Sequence, residues 1–185
     1  MHIDLINLLD RAAFTSRGTR IERIRKNPKR LLYSKIAELS YWLVKKPVKV
    51  TAKTFWNEDM LVVIPELVSL QIYRYGFFEK GLTKMILNTL KPGMTFFDVG
   101  AHFGYYTLLG SFLVGEKGRV HSFEPVPTTF SILKANASNK SNVVLNNCAV
   151  LSAKGTCFIN DYGIKYSAYN SFYDFWGDRL PVGIC

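Results

Sequence analysis

Two carboxylates and two glycines carry the chemistry legible in this chain. In MTFFDVGAHFGYYTLLGSFLVGEKGRVHSFEP, residues 94–125, an apolar run ends in Asp98, a bend with glycines at 100 and 104 follows, and a second strand-like run ends in Glu124. Glycine lets the backbone turn sharply and lets a ligand come close to it. An acid after the second strand of such a unit can accept both hydroxyls of a ribose. The arrangement points to a nucleoside ligand, and the spacing narrows it. The bend reads Gly100-Ala101-His102-Phe103-Gly104, a G-x-x-x-G, whereas dinucleotide folds use G-x-G-x-x-G and seat a pyrophosphate on helix amides. A carboxylate two residues before the first glycine repels a pyrophosphate and attracts a cation. S-adenosylmethionine has an ammonium, a sulfonium and no phosphate, so the electrostatics favour it over NAD.

The elements that must position these groups follow from periodicity and stops. Thr95–Val99 is expected as the first core strand, after a helix over Glu79–Leu90 with Leu82, Ile86 and Leu90 on one face and a stop at Lys91-Pro92-Gly93. A helix after Gly104 carries Tyr105, Tyr106, Leu108, Leu109, Phe112 and Leu113, and Lys117-Gly118 turns the chain into strand Arg119–Phe123. Pro127 starts a second helix with Phe130, Leu133 and Ala137 inward, and Val143–Leu145 with the adjoining 147–150 forms the third unit. Lys154-Gly155 reads as a hairpin turn into Thr156–Ile159. Right-handed crossovers put the three strands in one parallel sheet, with ligands outside their carboxyl ends. Asp98, Glu124 and Asn147 all fall at such ends.

These residues also carry a resemblance. DVGAHFGYYTLLGSFLVGEKGRVHSFEPVPTTFSILKANASNKSNVVLNNCAV resembles the core of FkbM-type methyltransferases, and the upstream IPELVSLQIYRYGFFE resembles that family's lead-in. The likeness runs from about Val62 to about Phe158, roughly half the chain. It implies an α/β, Rossmann-like class I methyltransferase fold, here with an incomplete parallel sheet preceded by N-terminal helices and a β-hairpin. It also implies S-adenosyl-L-methionine as cofactor and O-methylation of a sugar, glycolipid or natural-product hydroxyl. On this reading Gly100 and Gly104 admit the methionine end of the donor, Asp98 faces its ammonium, and Glu124, in the F-E-P motif, takes the ribose hydroxyls. Tyr106 and Thr107 line the start of the helix, Pro125 and Val126 flank the adenine, and Asn147 or Cys148 meets its edge. Glu79, in GFFE, reaches the donor from the lead-in. His102 stands where the family usually has Asn; it is expected either to contact the donor carboxylate or to be a loop histidine without chemistry. His2 and His121 are expected to be incidental. Methyl transfer is an in-line displacement that depends on alignment; it needs no metal, and no residue here identifies itself as the base a hydroxyl acceptor would use.

The family usually continues with a strand bearing K-I-D-x-E-G, which this chain lacks. The expectation is a C-terminally truncated, fragmentary methyltransferase domain over 51–185 (lead-in 51–92, donor-binding core 93–160, tail 161–185) after a basic helical segment, 1–50. The first core strand would then have an unpaired edge prone to self-association.

Charge divides the chain in the same place. Residues 11–53 hold 13 Lys and Arg against Glu22 and Glu38, a balance of +11, and the rest holds 11 against 12 acids. A near-neutral core argues against a nucleic-acid surface. Asn27-Pro28 reads as a cap and first helical residue, and Leu32, Ile36, Leu39 and Leu43 then recur at helical spacing beside Trp42. The simple expectation is an apolar stripe docked inward beneath a solvated basic face; the sharper one is contact with an anionic membrane or an acidic polymer. Residues 51–64 read as a hairpin. Cys148, Cys157 and Cys185 show no paired or metal-ligand spacing, so free thiols, no zinc and a reducing compartment are expected. Without a signal-peptide pattern or an 18-residue apolar run, a cytoplasmic, membrane-peripheral location follows as the expectation. Two rivals stand beside the methyltransferase: a non-catalytic basic adaptor binding membrane or polyanion, and a nucleotide oxidoreductase, which the glycine spacing disfavours.

Overall fold

The structure is a computed structural model that describes residues 2–173 and 178–185 of the chain. The chain forms two compact units, Met1–Thr89 and Leu90–Cys185. The second begins after the helix and hairpin that the sequence assigned to the core domain.

The first unit runs α1 (His2–Ser16), α2 (Arg20–Lys26), α3 (Pro28–Val44), β1 (Val48–Lys53), β2 (Asp59–Ile64), α4 (Leu67–Tyr75) and α5 (Lys80–Thr89). The reading of His2 as incidental concerns a side chain outside the described residues. Thr19 and Glu22 close a capping box at the start of α2. Pro28 stands at the first turn of α3, while the Asn27 side chain donates instead to the Arg74 carbonyl. The hairpin pairs Val48 with Ile64 through Lys53 with Asp59, starting three residues before the expected strand. Helix α4 was not anticipated. Glu66 starts it, accepting the amides of Val68 (2.8 Å) and Ser69 (2.6 Å). Burial raises the Glu66 carboxyl above its ordinary range. Ala37, Ile64 and Leu70 form the core here, with Val48, Val50 and Tyr73 against it. Arg74 ties α4 to α3, donating to Ser34 Oγ and Glu38 Oε1, both at 2.8 Å. In α5 the buried residues are Thr83, Ile86 and Leu87, whereas Leu82 is exposed.

The α3 stripe is a correction. Ser34 and Ala37 are the buried residues of α3, whereas Leu32, Ile36, Leu39 and Leu43 are 58–65% exposed. Small side chains let the helix lie close against the hairpin and α4, so its aliphatic face points to solvent.

The second unit runs β3 (Thr95–Val99), α6 (Tyr105–Val114), β4 (Arg119–Phe123), α7 (Pro127–Ala137), β5 (Val143–Asn146), β6 (Gly155–Asp161), a 3-10 turn (Ile164–Tyr169) and β7 (Asp178–Ile184). Strands β3, β4 and β5 lie side by side and parallel, with Asp98 opposite Ser122 and Phe123 opposite Asn146. This is the α/β, Rossmann-like class, and β3 is an edge strand of the three. Leu108, Leu109, Leu113 and Val114 of α6 are buried, and Phe96 of β3 lies against Gly110, where a Cβ would meet its ring at 2.6 Å. Phe97 and Val99 point the other way, each 60% exposed, and Phe97 stacks on His121 at 5.1 Å, which makes His121 a packing residue. Helix α7 buries Thr129, Ile132, Leu133 and Ala137; Phe130 is half-buried, one position off the expected face.

Strand β6 pairs with β7, from Gly155–Ile184 to Asp161–Asp178, not with residues 147–150 as the sequence suggested. Ala149 instead bridges Ile184 in parallel. Val126, Ala149, Ile159 and Val182 form the core of this addition. The pairing brings Cys148 and Cys185 to a Cα separation of 5.7 Å and joins them in a disulfide, leaving Cys157 free. The expectation of free thiols is corrected here, because a strand pairing invisible in the spacing sets the two cysteines together. In a reducing compartment such a pair opens. Closing a loop of 37 residues is worth about 3–4 kcal/mol by chain entropy. Cys185→Ser, or added reductant, is expected to lower the unfolding midpoint in denaturant by a corresponding amount, read by circular dichroism. Among the described residues no helix is long and apolar enough to cross a membrane.

Candidate functional site

Every part of the site grows from the carboxyl ends of β3, β4 and β5. After Val99 the chain bends through Gly100, His102 and Gly104, which hold φ of 79°, 51° and 94°. Only glycine adopts such angles without strain, which accounts for two of the three identities; His102 carries the strain of the third. The bend is pinned to β4: the amides of Gly100 and Ala101 both donate to the Phe123 carbonyl at 2.9 Å. At Gly100 an added Cβ would meet nothing within 4 Å, so that side of the bend is open; at Gly104 it would meet Leu133 Cδ1 at 2.6 Å. Gly104→Ala therefore combines left-handed strain with overpacking. It is expected to destabilise the chain by about 2–3 kcal/mol in a denaturant titration.

Asp98 is 7% exposed. Its Oδ2 accepts from Thr107 Oγ1 at 2.6 Å, and Thr107 in turn meets Ser122 Oγ at 2.8 Å. Burial pushes the Asp98 carboxyl up to about 6, against the lowering effect of the Thr107 hydrogen bonds. Glu124, 6% exposed, accepts the His102 amide on one oxygen (3.0 Å) and the Val126 amide on the other (3.1 Å). Burial first, then the neighbouring charges of Asp98 and Asp161, push it up to about 7, although the two amides pull the other way. The two carboxyls thus feel one another at the ends of adjacent strands. Burial favours the protonated form of each carboxyl, and a cation beside them would favour the ionised form.

The His102 ring is stacked on Phe103 and shares a hydrogen with Ser167 Oγ at 2.8 Å. Burial lowers it to about 4, so it is neutral at pH 7. It ties the bend to the 3-10 turn. Asn147 Nδ2 donates to the carbonyls of Glu124 (2.8 Å) and Pro125 (3.1 Å), fixing the chain just after the second acid. Tyr106 is half-buried and packs edge-on against Tyr105.

Of the residues expected in the site, Asp98, Gly100, His102, Gly104, Thr107, Glu124, Pro125 and Asn147 are gathered around this one bend. Val126 is fully buried in the core beside Ile159, and Cys148 is held in the disulfide, so neither fits the adenine contact assigned to it. Glu79 belongs to the first unit, in a left-handed conformation before α5. Three site residues escaped the sequence reading. Ser122 had a signal, since the register puts it opposite Asp98; Asp161 and Ser167 sit in a tail with none. Among the described residues no cluster of His, Cys, Asp or Glu is built to hold a metal ion.

No family model and no curated relative matches the chain. Among solved structures it is similar to a protein described as an rRNA-methylase from Clostridium thermocellum, at 25% identity and a TM-score of 0.36 over 37% of this chain and 39% of that one. It is similar to a SAM dependent methyltransferase from Aquifex aeolicus at 33% identity and a TM-score of 0.30, over 34% and 35%. A protein-L-isoaspartate O-methyltransferase overlaps 78% of this chain and 41% of its own, at 20% identity and a TM-score of 0.37. The chain spans 35–41% of the length of these structures.

Proposed function

We propose that this chain binds S-adenosylmethionine and serves methyl transfer to a hydroxyl, of the FkbM type, with a sugar, glycolipid or related natural product as acceptor. One observation carries the reading: two buried carboxyls, Asp98 and Glu124, flank a glycine bend whose Gly100 side is open. An ionised carboxylate offers about four acceptor sites. Glu124 uses two on backbone amides, which leaves two for a pair of ribose hydroxyls. Asp98 accepts both the hydroxyl and the amide of Thr107, which by the same count leaves two acceptor sites for an ammonium.

The donor supplies the methyl group, at a sulfonium whose thioether product leaves without assistance. The chain's own residues bind and orient. Thr107 and Ser122 fix the Asp98 rotamer, and Glu124 holds the bend through His102. Neutral His102 adds no charge beside a cationic ligand and anchors the 3-10 turn to the bend. The acceptor class rests on the resemblance of residues 62–158 alone. In a thermal-shift comparison, S-adenosylhomocysteine is expected to raise the unfolding temperature by several degrees while NAD leaves it unchanged. A larger shift with NAD would overturn the reading in favour of the oxidoreductase.

A further inference from the structure

We propose that the outer face of α3 and the basic corner it makes with α2 seat this protein on an anionic lipid surface. At 100° per residue, Leu32, Ile36, Leu39 and Leu43 fall within about 60° of one another on the helix circumference. They are 58–65% exposed, and Trp42 beside them is 67% exposed. The helix thus lies with its small residues inward and its aliphatic stripe outward, the reverse of an ordinary surface helix. Lys29 and Lys35 flank the stripe, one on each side, and Lys45 and Lys46 follow its end; all four are exposed. Helix α2 adds Ile21 and Ile24, 64% and 53% exposed, among Arg20, Arg25 and Lys26.

Between α2 and α3 lies a groove of about 450 Å³ whose lining includes Arg20, Arg23, Lys35, Ile24 and Leu32. Arg23 Nε is buried there without a hydrogen-bond partner. Arg23 also lines the groove, so a lipid phosphate seated there would meet a guanidinium. The two acids of this segment, Glu22, which accepts the Thr19 amide, and Glu38, which pairs with Arg74 and Lys35, are already counted in its balance of +11.

Charge and hydropathy together select the occupant. A second copy of the chain would set one strongly basic segment against another, since residues 11–53 carry a balance of +11. A soluble polyanion would engage the cations and leave the exposed apolar side chains of α2 and α3 in water. An anionic bilayer meets both demands: the aliphatic face and Trp42 enter the boundary between headgroups and acyl chains while the lysines and arginines stay among phosphates. The helix lies in the plane of the surface.

The test uses the full chain and extruded vesicles of phosphatidylcholine, with and without phosphatidylglycerol. Flotation is expected to show at least about tenfold stronger binding to the anionic vesicles, weakened by added salt. Brominated lipids are expected to quench tryptophan emission, and Trp42→Phe to remove that quenching. The Leu39→Gln/Leu43→Gln variant changes exposed positions, so its circular dichroism and unfolding temperature are expected to match the parent while vesicle binding falls about tenfold or more. Arg20→Gln/Arg25→Gln/Lys26→Gln is expected to remove the preference for phosphatidylglycerol. Equal binding to both vesicle types, or full binding by the Leu39→Gln/Leu43→Gln variant, would overturn the proposal. So would a dimer in sedimentation that the same variant dissolves, or RNA binding that competes vesicles away without involving Trp42.

Discussion

Glu124→Ala is expected to weaken S-adenosylhomocysteine binding by about 100-fold or more, measured by calorimetry on the purified chain. A hydrogen bond to a charged group contributes about 1.5–3 kcal/mol, and this one side chain has room for two from a ribose. The substitution also strands the amides of His102 and Val126, both now answered by the carboxylate. A drop in stability of about 1–3 kcal/mol should accompany the loss. Glu124→Gln separates the effects, because its amide oxygen still accepts one of the two backbone hydrogens. It should recover part of the stability and little of the affinity. If Glu124→Gln binds the ligand as well as the parent, the ribose role is wrong even though the fold is right.

The second large effect is on pH dependence. Asp98 and Glu124 are raised by burial to about 6 and about 7 from ordinary values of 3.8 and 4.5. A raised acid keeps its proton longer in the folded state than in the unfolded one. Its contribution to stability is therefore complete below the unfolded value and is lost as pH rises through the folded value. For each group the slope reaches at most about 1.4 kcal/mol per pH unit. Without ligand, the unfolding temperature should fall between about pH 4 and pH 7 on account of these two groups. A cationic ligand reverses the preference by stabilising the ionised forms, so affinity for S-adenosylmethionine should climb over the same interval and level off above it. Asp98→Asn should flatten the stability profile and remove part of the climb. An affinity that falls steadily across this interval would mean that no cation meets these carboxyls.

Much of the second unit is legible because its signals are local. Pro92-Gly93 and Lys117-Gly118 stop elements, the glycines of the bend mark the left-handed residues, and the short strand-like runs between the turn signals read as parallel strands. The acids could be placed because each ends such a run. Elsewhere the decisive information is tertiary. Helix α4 was hidden in an apolar stretch broken by Pro65 and Glu66, and Glu66 proves to be the capping residue that starts it. The β6–β7 pairing joins residues as far apart as Gly155 and Ile184 through a register that no turn encodes. With it went the disulfide and the Ser167 contact to His102. On α3 the periodicity was right and the direction wrong. A helical stripe shows that one face differs from the other, and only the neighbours decide which face goes inward. There the small residues Ser34 and Ala37 permit close approach, and the leucines are left outside.

The central claim is that carboxyls 98 and 124 share one cationic adenosyl ligand across the glycine bend. Calorimetric titration of S-adenosylmethionine into the 185-residue chain, repeated in buffers of different ionisation enthalpy near pH 6.5, tests it most directly. One site is expected, with protons released on binding, and an Asp98→Asn/Glu124→Gln variant is expected to lose that release. Saturable binding with no proton release, or binding that the double variant retains in full, would contradict it.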